Sequence, residues 1–423
     1  MPYKEIKECR VCGNKNLSPV VNLGELALTG IFPKTKNEEV DVAPLELVKC
    51  HGDNCCHLLQ LKHSMNMEKM YGNNYGYRSG LNPSMVAHLQ AIVRIVTNTV
   101  SLQPDDLIID IGSNDGTLLR NYFGDYNLVA FDPTAAKFSK YYPANVDLFG
   151  DFFSKEIFRS HYRSVKAKVV TSIAMFYDLP KPLEFMQDVY DILDDKGIWV
   201  LEQSYMPEMI KQNAYDTVCH EHLEYYGLYQ IRWMADRVGF KIVNVEFNST
   251  NGGSFLVILA KKGGGVKGLS NEFFINTILK EEQQKGFLSL APYKKFRKNI
   301  FKHTSRLIEF IERLNRERKV VVGYGASTKG NVLLQLCNFN ERDIPCIVEI
   351  NEDKFGCFTP GTKIPIVSQK EAESGFGNID YLFVLPWHFK DNILKKEEKF
   401  LKAGMKFIFP LPDISVVGGK ENE

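Results

Sequence analysis

Leu107-Ile-Ile-Asp110-Ile-Gly112-Ser-Asn114-Asp115-Gly116-Thr-Leu-Leu119 is the stretch on which the reading of the fold turns. A short apolar run ends beside an acid, two glycines bracket a polar loop, and helix-forming residues follow. That order describes a buried strand passing through a tight turn into the start of a helix. Glycine is required where the chain turns with positive φ or where a ligand lies against the main chain. The spacing D-x-G-x-x-x-G departs from the G-x-G-x-x-G of dinucleotide-binding folds, which argues against an oxidoreductase.

Runs of the same kind recur downstream as NLVAFDP, KVVTSIAM, GIWVLEQS, FKIVNVEFN and SFLVILAKK. They alternate with amphipathic stretches, the pattern of a mostly parallel sheet covered by helices. Only a turn around Asn251-Gly252-Gly253 separates the last two runs. A parallel crossover needs about a dozen residues, so an antiparallel hairpin is predicted there. Residues 265–318 carry many lysines and glutamates, with Leu307, Ile308, Phe310, Ile311 and Leu314 at helical spacing, and read as a helical connector. Alternation resumes from KVVVGYGA to MKFIFPLP as a second, smaller α/β unit. The chain divides into 1–70, 71–264, 265–318 and 319–423.

The 423 residues include 52 basic and 51 acidic side chains, a formal charge of +1. That balance gives no bulk positive field for nucleic acid or an anionic membrane. Hydrophobic residues at 44% and charged residues at 24% exclude wholesale disorder. No apolar stretch reaches the length of a membrane span, and the first residues lack the apolar core of a signal peptide. A cytoplasmic monomer or small homo-oligomer is expected.

In a reducing compartment, closely spaced cysteines suggest metal before disulfide. Of the nine cysteines, Cys9, Cys12, Cys50, Cys55 and Cys56 crowd the first 56 residues. Cys9-x-x-Cys12-Gly resembles one zinc knuckle. The second half, Cys50-His51-Gly-Asp-Asn-Cys55-Cys56-His57, is less regular. Either Cys55 or Cys56 completes a four-thiolate set, with His51 and His57 as substitute ligands. A module this short has little apolar area to bury, which favours a structural metal.

Two further segments carry chemistry. Tyr215-Asp216-Thr-Val-Cys219-His220-Glu221-His222 follows the run GIWVLEQS. Histidine moves protons near neutral pH, and an adjacent carboxylate orients it. A general base, a His-x-His metal pair and a structural histidine pair are all compatible with these residues. Gly323-Tyr-Gly325-Ala-Ser327-Thr-Lys329-Gly-Asn331 sets a glycine turn at a helix start, where anions are attracted. Ser327, Lys329 and Asn331 are candidate contacts to a diphosphate, against the alternative of a fold kept for packing.

The glycine loop resembles the first motif of class I S-adenosylmethionine-dependent methyltransferases. The resemblance implies a Rossmann-like α/β core with Asp110, Gly112, Asn114, Asp115 and Gly116 around the cofactor. It also implies Asp132 at the ribose hydroxyls and Asp151 and Phe152 beside the adenine. In their joint order, the cysteine knuckles, DIGSNDG, HEH and GYGASTKGN are similar to the three-domain C-methyltransferases of nucleotide-linked 4-keto-6-deoxy sugars. That resemblance covers nearly the whole chain. It implies S-adenosylmethionine, a structural zinc on Cys9, Cys12, Cys50 and Cys56, and Tyr77 facing the active site. Glu221 and His222 match the catalytic pair, His222 removing the C3 proton beside a C4 ketone to form an enolate. Tyr215 and His220 fall beside the sugar. Cys219 stands where such relatives carry tyrosine, and Met175 where they carry histidine. Cys219 therefore joins the catalytic candidates. A sugar O-methyltransferase, or a non-catalytic zinc-containing binding protein, is the alternative.

Overall fold

LIIDI lies inside a seven-stranded sheet, third from one edge, in the computed structural model, which describes residues 3–66, 70–71, 76–266, 271–376 and 379–418. The strands are β1 (Leu107–Ile111), β2 (Asn127–Phe131), β3 (Val146–Phe149), β4 (Ala167–Ile173), β5 (Leu193–Ser204), β6 (Phe240–Asn248) and β7 (Ser254–Lys261). Their order is β3-β2-β1-β4-β5-β7-β6. All run parallel except β7, which is antiparallel to both β5 and β6. The predicted hairpin is present, turning over Thr250–Gly252. Its second strand sits between β5 and β6, inside the sheet.

Every residue of β1 is buried, because both faces of a parallel sheet are covered. The two-residue period of a strand sends Leu107, Ile109 and Ile111 to one face, among Trp199 and Phe240. Ile108 goes to the other, against Leu89, Ile92 and Val96 of the helix Pro83–Thr99. That helix starts cleanly: Pro83 needs no N–H partner, and the Asn82 side chain accepts from the Ser84 N–H at 3.0 Å.

The N-terminal segment builds an antiparallel sheet from Leu17–Ala27, Val42–Cys50 and Leu59–Leu61. Its fourth strand is Glu224–Tyr225, supplied by the central segment, with Glu224 opposite Gln60 and Tyr225 opposite Leu59. The connector forms two helices, Glu272–Gln284 and Ala291–Arg316. The C-terminal sheet runs Ile366–Ser368, Ile347–Glu349, Val321–Tyr324, Tyr381–Val384, Lys406–Phe409, Ser415–Gly418, parallel up to the antiparallel last strand. One apolar cluster joins all three units, with Leu45 and Leu59, Met206 and Tyr215, and Val322 and Phe407 among its members.

The connector also caps the central unit. The buried Glu282 carboxylate accepts from the N–H groups of Leu228 at 2.7 Å and Tyr229 at 2.9 Å, and from the Tyr205 hydroxyl at 2.8 Å. These N–H groups open the helix Leu228–Val238 and have no partner within it. Glu282→Ala should therefore cost about 2 kcal/mol of stability, read as a lower denaturant midpoint, with Glu282→Gln losing less.

Candidate active site

Among the described residues, four sulfurs come together: Cys9, Cys12, Cys50 and Cys56 all lie within 4.8 Å of one another. Gly13, at φ +68°, lets the first knuckle turn so that the Gly13 N–H returns to the Cys9 carbonyl at 2.9 Å. Cys55 points away, toward the Gly52 carbonyl at 3.2 Å. A closed set of four thiolates fits a structural zinc and leaves no position open for substrate. Arg10, inside the first knuckle, lies 3.6 Å from Glu224 with both side chains buried.

The glycine loop is built for close approach. Gly112 and Gly116 adopt φ of +74° and +70°. A Cβ on Gly112 would stand 3.0 Å from the Met175 side chain, and one on Gly116 would stand 2.7 Å from the Tyr142 ring. Asp132, at the end of β2, accepts from the Asn114 N–H and the Thr134 N–H, both at 2.7 Å. The Thr134 hydroxyl donates to it as well, and a carboxylate with about four acceptor positions keeps one for a ligand hydroxyl. Glycine cradle and strand-end acid together fit the nucleoside and amino-acid ends of S-adenosylmethionine. Asp151 is exposed and Phe152 half-buried in the loop after β3, on the same edge of the sheet.

Other loop residues have structural partners. The Asp110 carboxyl is buried on β1, takes the Thr171 hydroxyl at 2.6 Å, and is pushed up to about 7 by burial. Asn114 accepts from the Ser79 N–H at 2.9 Å and donates to the Tyr77 carbonyl at 3.1 Å. Asp115 accepts from the Gly80 N–H at 3.0 Å. Asn114 and Asp115 thus tie the Tyr77 segment to the cofactor loop, and Tyr77 itself stays 46% exposed.

The three residues of HEH point to three places. His220 is 1% exposed, and its Nε2 bonds the Ala43 carbonyl of the N-terminal sheet at 3.1 Å. Glu221 accepts from the Thr29 hydroxyl at 3.3 Å and lies so close to Gly30 that a Cβ there would stand 2.2 Å from its Oε1. His222 is half-buried, with Nδ1 against the Thr217 carbonyl at 2.9 Å and its ring edge-on to Tyr177, centroids 4.5 Å apart. A carbonyl only accepts, so Nδ1 carries the proton and Nε2 keeps its lone pair. Burial first, then the positive charge of Lys329, push His222 down to about 3.

The remaining sequence candidates separate. Lys329 Nζ reaches the Asn251 carbonyl at 2.9 Å and acts electrostatically on His222. Ser327 caps its helix by accepting from the Gly330 N–H at 3.0 Å. Tyr215 is fully buried, its hydroxyl 3.0 Å from His303 on the connector. Asn331 is fully buried and donates to the Thr29 carbonyl at 2.7 Å. Cys219 is fully buried in the apolar cluster, where burial raises its thiol. These last three and His220 are buried side chains turned into neighbouring units, whereas His222 and Lys329 are half-buried. Sequence reading missed Thr29, Gly30, Arg10, Glu224 and Asp216, whose partners lie far along the chain and form no local motif.

Strand order, antiparallel β7, glycine cradle and strand-end acid define a class I S-adenosylmethionine-dependent methyltransferase. Family models agree segment by segment. A zinc binding domain matches residues 9–71, a methyltransferase domain residues 86–245, and a C-methyltransferase C-terminal domain residues 249–412. The C-methyltransferase NovU of Streptomyces niveus is 27% identical over 422 residues, 99% of this chain and 98% of NovU. Over nearly its whole length, with zinc binding, methyltransferase and C-terminal domain matches in that order, the chain is similar to a C-methyltransferase. Among solved structures, a methyltransferase in complex with its Trm112 activator from Haloferax volcanii aligns at 11% identity and TM-score 0.36, covering 43% of this chain and 94% of its own. A methyltransferase from Bacillus halodurans C-125 aligns at 12% identity and TM-score 0.32, covering 42% and 99%. No helix among the described residues is long and apolar enough to cross a membrane.

Two outcomes follow from this geometry. Metal analysis should find one zinc per chain, lost in Cys56→Ser with a fall in melting temperature, while Cys55→Ser keeps both. Burial holds His220 at about 4 and His222 at about 3, below the ordinary 6.5. Their neutral forms stabilise the fold fully above 6.5, and that contribution is lost as the pH falls from 6.5 toward those values. Melting temperature should drop across that window, and less steeply in His220→Gln.

Proposed function

We propose that the enzyme methylates carbon C3, beside a C4 ketone, of a nucleotide-linked deoxysugar through an enolate. The observation that carries this reading is the His222 tautomer: the Thr217 carbonyl holds the proton on Nδ1 and leaves Nε2 as an acceptor. A ketone acidifies the neighbouring C–H, and a fixed neutral imidazole is the base suited to take that proton. Glu221, clasped by Thr29 and Gly30, positions the loop. The Gly112 turn, Asp132, and the Asp151–Phe152 loop hold the cofactor, and Tyr77 closes the near side. S-adenosylmethionine, when bound, supplies the methyl group for the nucleophilic carbon. Carbon is favoured over a hydroxyl oxygen because the full-length relative NovU is a C-methyltransferase. The resemblance of the motifs to enzymes of nucleotide-linked 4-keto sugars supports the sugar. Membrane and nucleic acid play no part in this reading, which describes a cytoplasmic monomer or small homo-oligomer.

A panel of nucleotide-linked 4-keto sugars and their reduced counterparts, incubated with labelled S-adenosylmethionine and read by mass spectrometry, tests the substrate. Label should enter only the keto sugars, at carbon; label on a hydroxyl of the reduced sugars would establish O-methylation instead. His222→Ala should lower kcat by about 10²–10⁴-fold and leave cofactor affinity nearly unchanged by calorimetry.

A further inference from the structure

Lys329 occupies an unusual position for a cation. It is the second residue of the helix Thr328–Leu336, and its side chain runs to the tip of the β6–β7 hairpin, where Nζ donates to the Asn251 carbonyl at 2.9 Å. That bond uses one of three donors. No carboxylate among the described residues comes within salt-bridge distance of it. The nearest acid acting on it, Asp216, is oriented elsewhere: one oxygen accepts from Trp387 Nε1 at 2.7 Å, and the other is buried without a hydrogen-bond partner. An ammonium held in a protein cleft without an ion pair is costly.

The surroundings give that charge a direction. Asp216 precedes Thr217, whose carbonyl fixes the His222 ring, so one short turn separates the Lys329 and His222 neighbourhoods. The helix that carries Lys329 packs against the turn Tyr215–Thr217, and Lys329, His222 and Asn251 are all half-buried, whereas Asp216 and Cys219 are fully buried. Toward the glycine turn of its own domain, Lys329 has little to hold. The Ala326 N–H there already donates to Glu349 at 2.8 Å, and the Gly330 N–H to Ser327. A bound anion would meet the Glu349 carboxylate.

We propose that Lys329 is the electrophilic group of the reaction, its ammonium holding the substrate's carbonyl oxygen and receiving the negative charge that forms there when His222 removes the adjacent proton. The step balances. The C–H bond breaks and its proton passes to His222 Nε2, its electron pair becomes the C=C bond, and the carbonyl π pair moves onto oxygen opposite Lys329. The same positive charge that opposes an imidazolium at His222 stabilises the enolate beside it, so the two groups act on opposite ends of one charge separation. This assignment rests on the enolate reading above and replaces the diphosphate as the partner of Lys329.

Hydrogen exchange at the carbons flanking the ketone, followed by NMR in D2O without methyl donor, tests it, with thymidine diphosphate-linked 4-keto-6-deoxyglucose as the probe. Wild type should exchange, and His222→Ala should not. Of the neutral variants Lys329→Gln and Lys329→Met, whichever melts within a few degrees of wild type should slow exchange and kcat together by about 10²–10³-fold, with KM changed by less than about threefold. Lys329→Arg, which keeps the charge, should recover part of the loss. A raised KM with wild-type exchange would overturn the Lys329 assignment alone. Absence of exchange in wild type, with methyl found on oxygen, would overturn the enolate reading and this assignment with it.

Discussion

The pairing of Glu224–Tyr225 with Leu59–Gln60 is the constraint on which the site depends. The segment from Tyr215 to Leu223 has little regular structure of its own, only the short turn Tyr215–Thr217. It becomes a fixed object because its far end is annealed to the N-terminal sheet and its side chains are received there. His220 meets Ala43, Glu221 meets Thr29 and Gly30, and Glu224 meets Arg10. Arg10 lies inside the first knuckle, and the second begins where the strand Val42–Cys50 ends. A zinc on the four thiolates would thus act through position alone: it would hold the knuckles, the knuckles hold strands, and the strands hold the loop that carries His222. Preorganisation of this kind is where much of an enzyme's rate comes from when the chemistry is simple.

Electrostatics around that loop lean toward neutral groups. Burial raises the carboxyls of Asp178, Glu221 and Glu224, and the Arg10 guanidinium pulls Glu224 part of the way back. Burial also lowers His220 and His222. Burial of this kind suits the proposed carbanion-like chemistry, since water would protonate an enolate before it reacted. It also means that any charge formed there needs a dedicated partner. Lys329 is the cation that acts on this neighbourhood from the C-terminal unit, which gives that unit a reason to pack against the hairpin.

Local order was legible from sequence and orientation was not. LIIDI, the glycine spacing and the Asn251–Gly253 turn each encode their structure within about ten residues, through periodicity and backbone freedom, and the sheet follows from them. The cysteines were legible because thiolate chemistry forces them together, and the choice between Cys55 and Cys56 came out as the family resemblance implied. Tyr215, Cys219, His220 and Asn331 lie in the right segments, but their side chains turn into neighbouring units. Which way each faces is decided by partners such as His303, Ala43 and Thr29, up to 302 positions away in sequence. No local pattern records a contact of that kind. In an irregular loop, where neither a period of 2 nor one of 3.6 applies, adjacency to the proposed base says nothing about direction.

The C-terminal unit shows how a familiar turn can serve a different end. Gly325, at φ +81°, makes the tight exit from the strand Val321–Tyr324, as Gly112 does from β1. In both units the next strand ends in an acid that accepts a backbone N–H of the turn, Asp132 from Asn114 and Glu349 from Ala326. The resemblance then breaks. Asp132 accepts from two backbone N–H groups and from the Thr134 hydroxyl. Glu349 is turned inward on its own chain, accepting also from the N–H groups of Ile350 at 2.7 Å and Asn351 at 3.0 Å. All three of its donors are backbone, and Lys354 stands at the same turn, its Nζ donating to the Ala326 carbonyl at 2.8 Å. What the second unit turns toward the β6–β7 hairpin is a side chain, Lys329, on a helix whose first turn is already capped by Ser327, so its contribution there is a charge and not a row of free N–H groups.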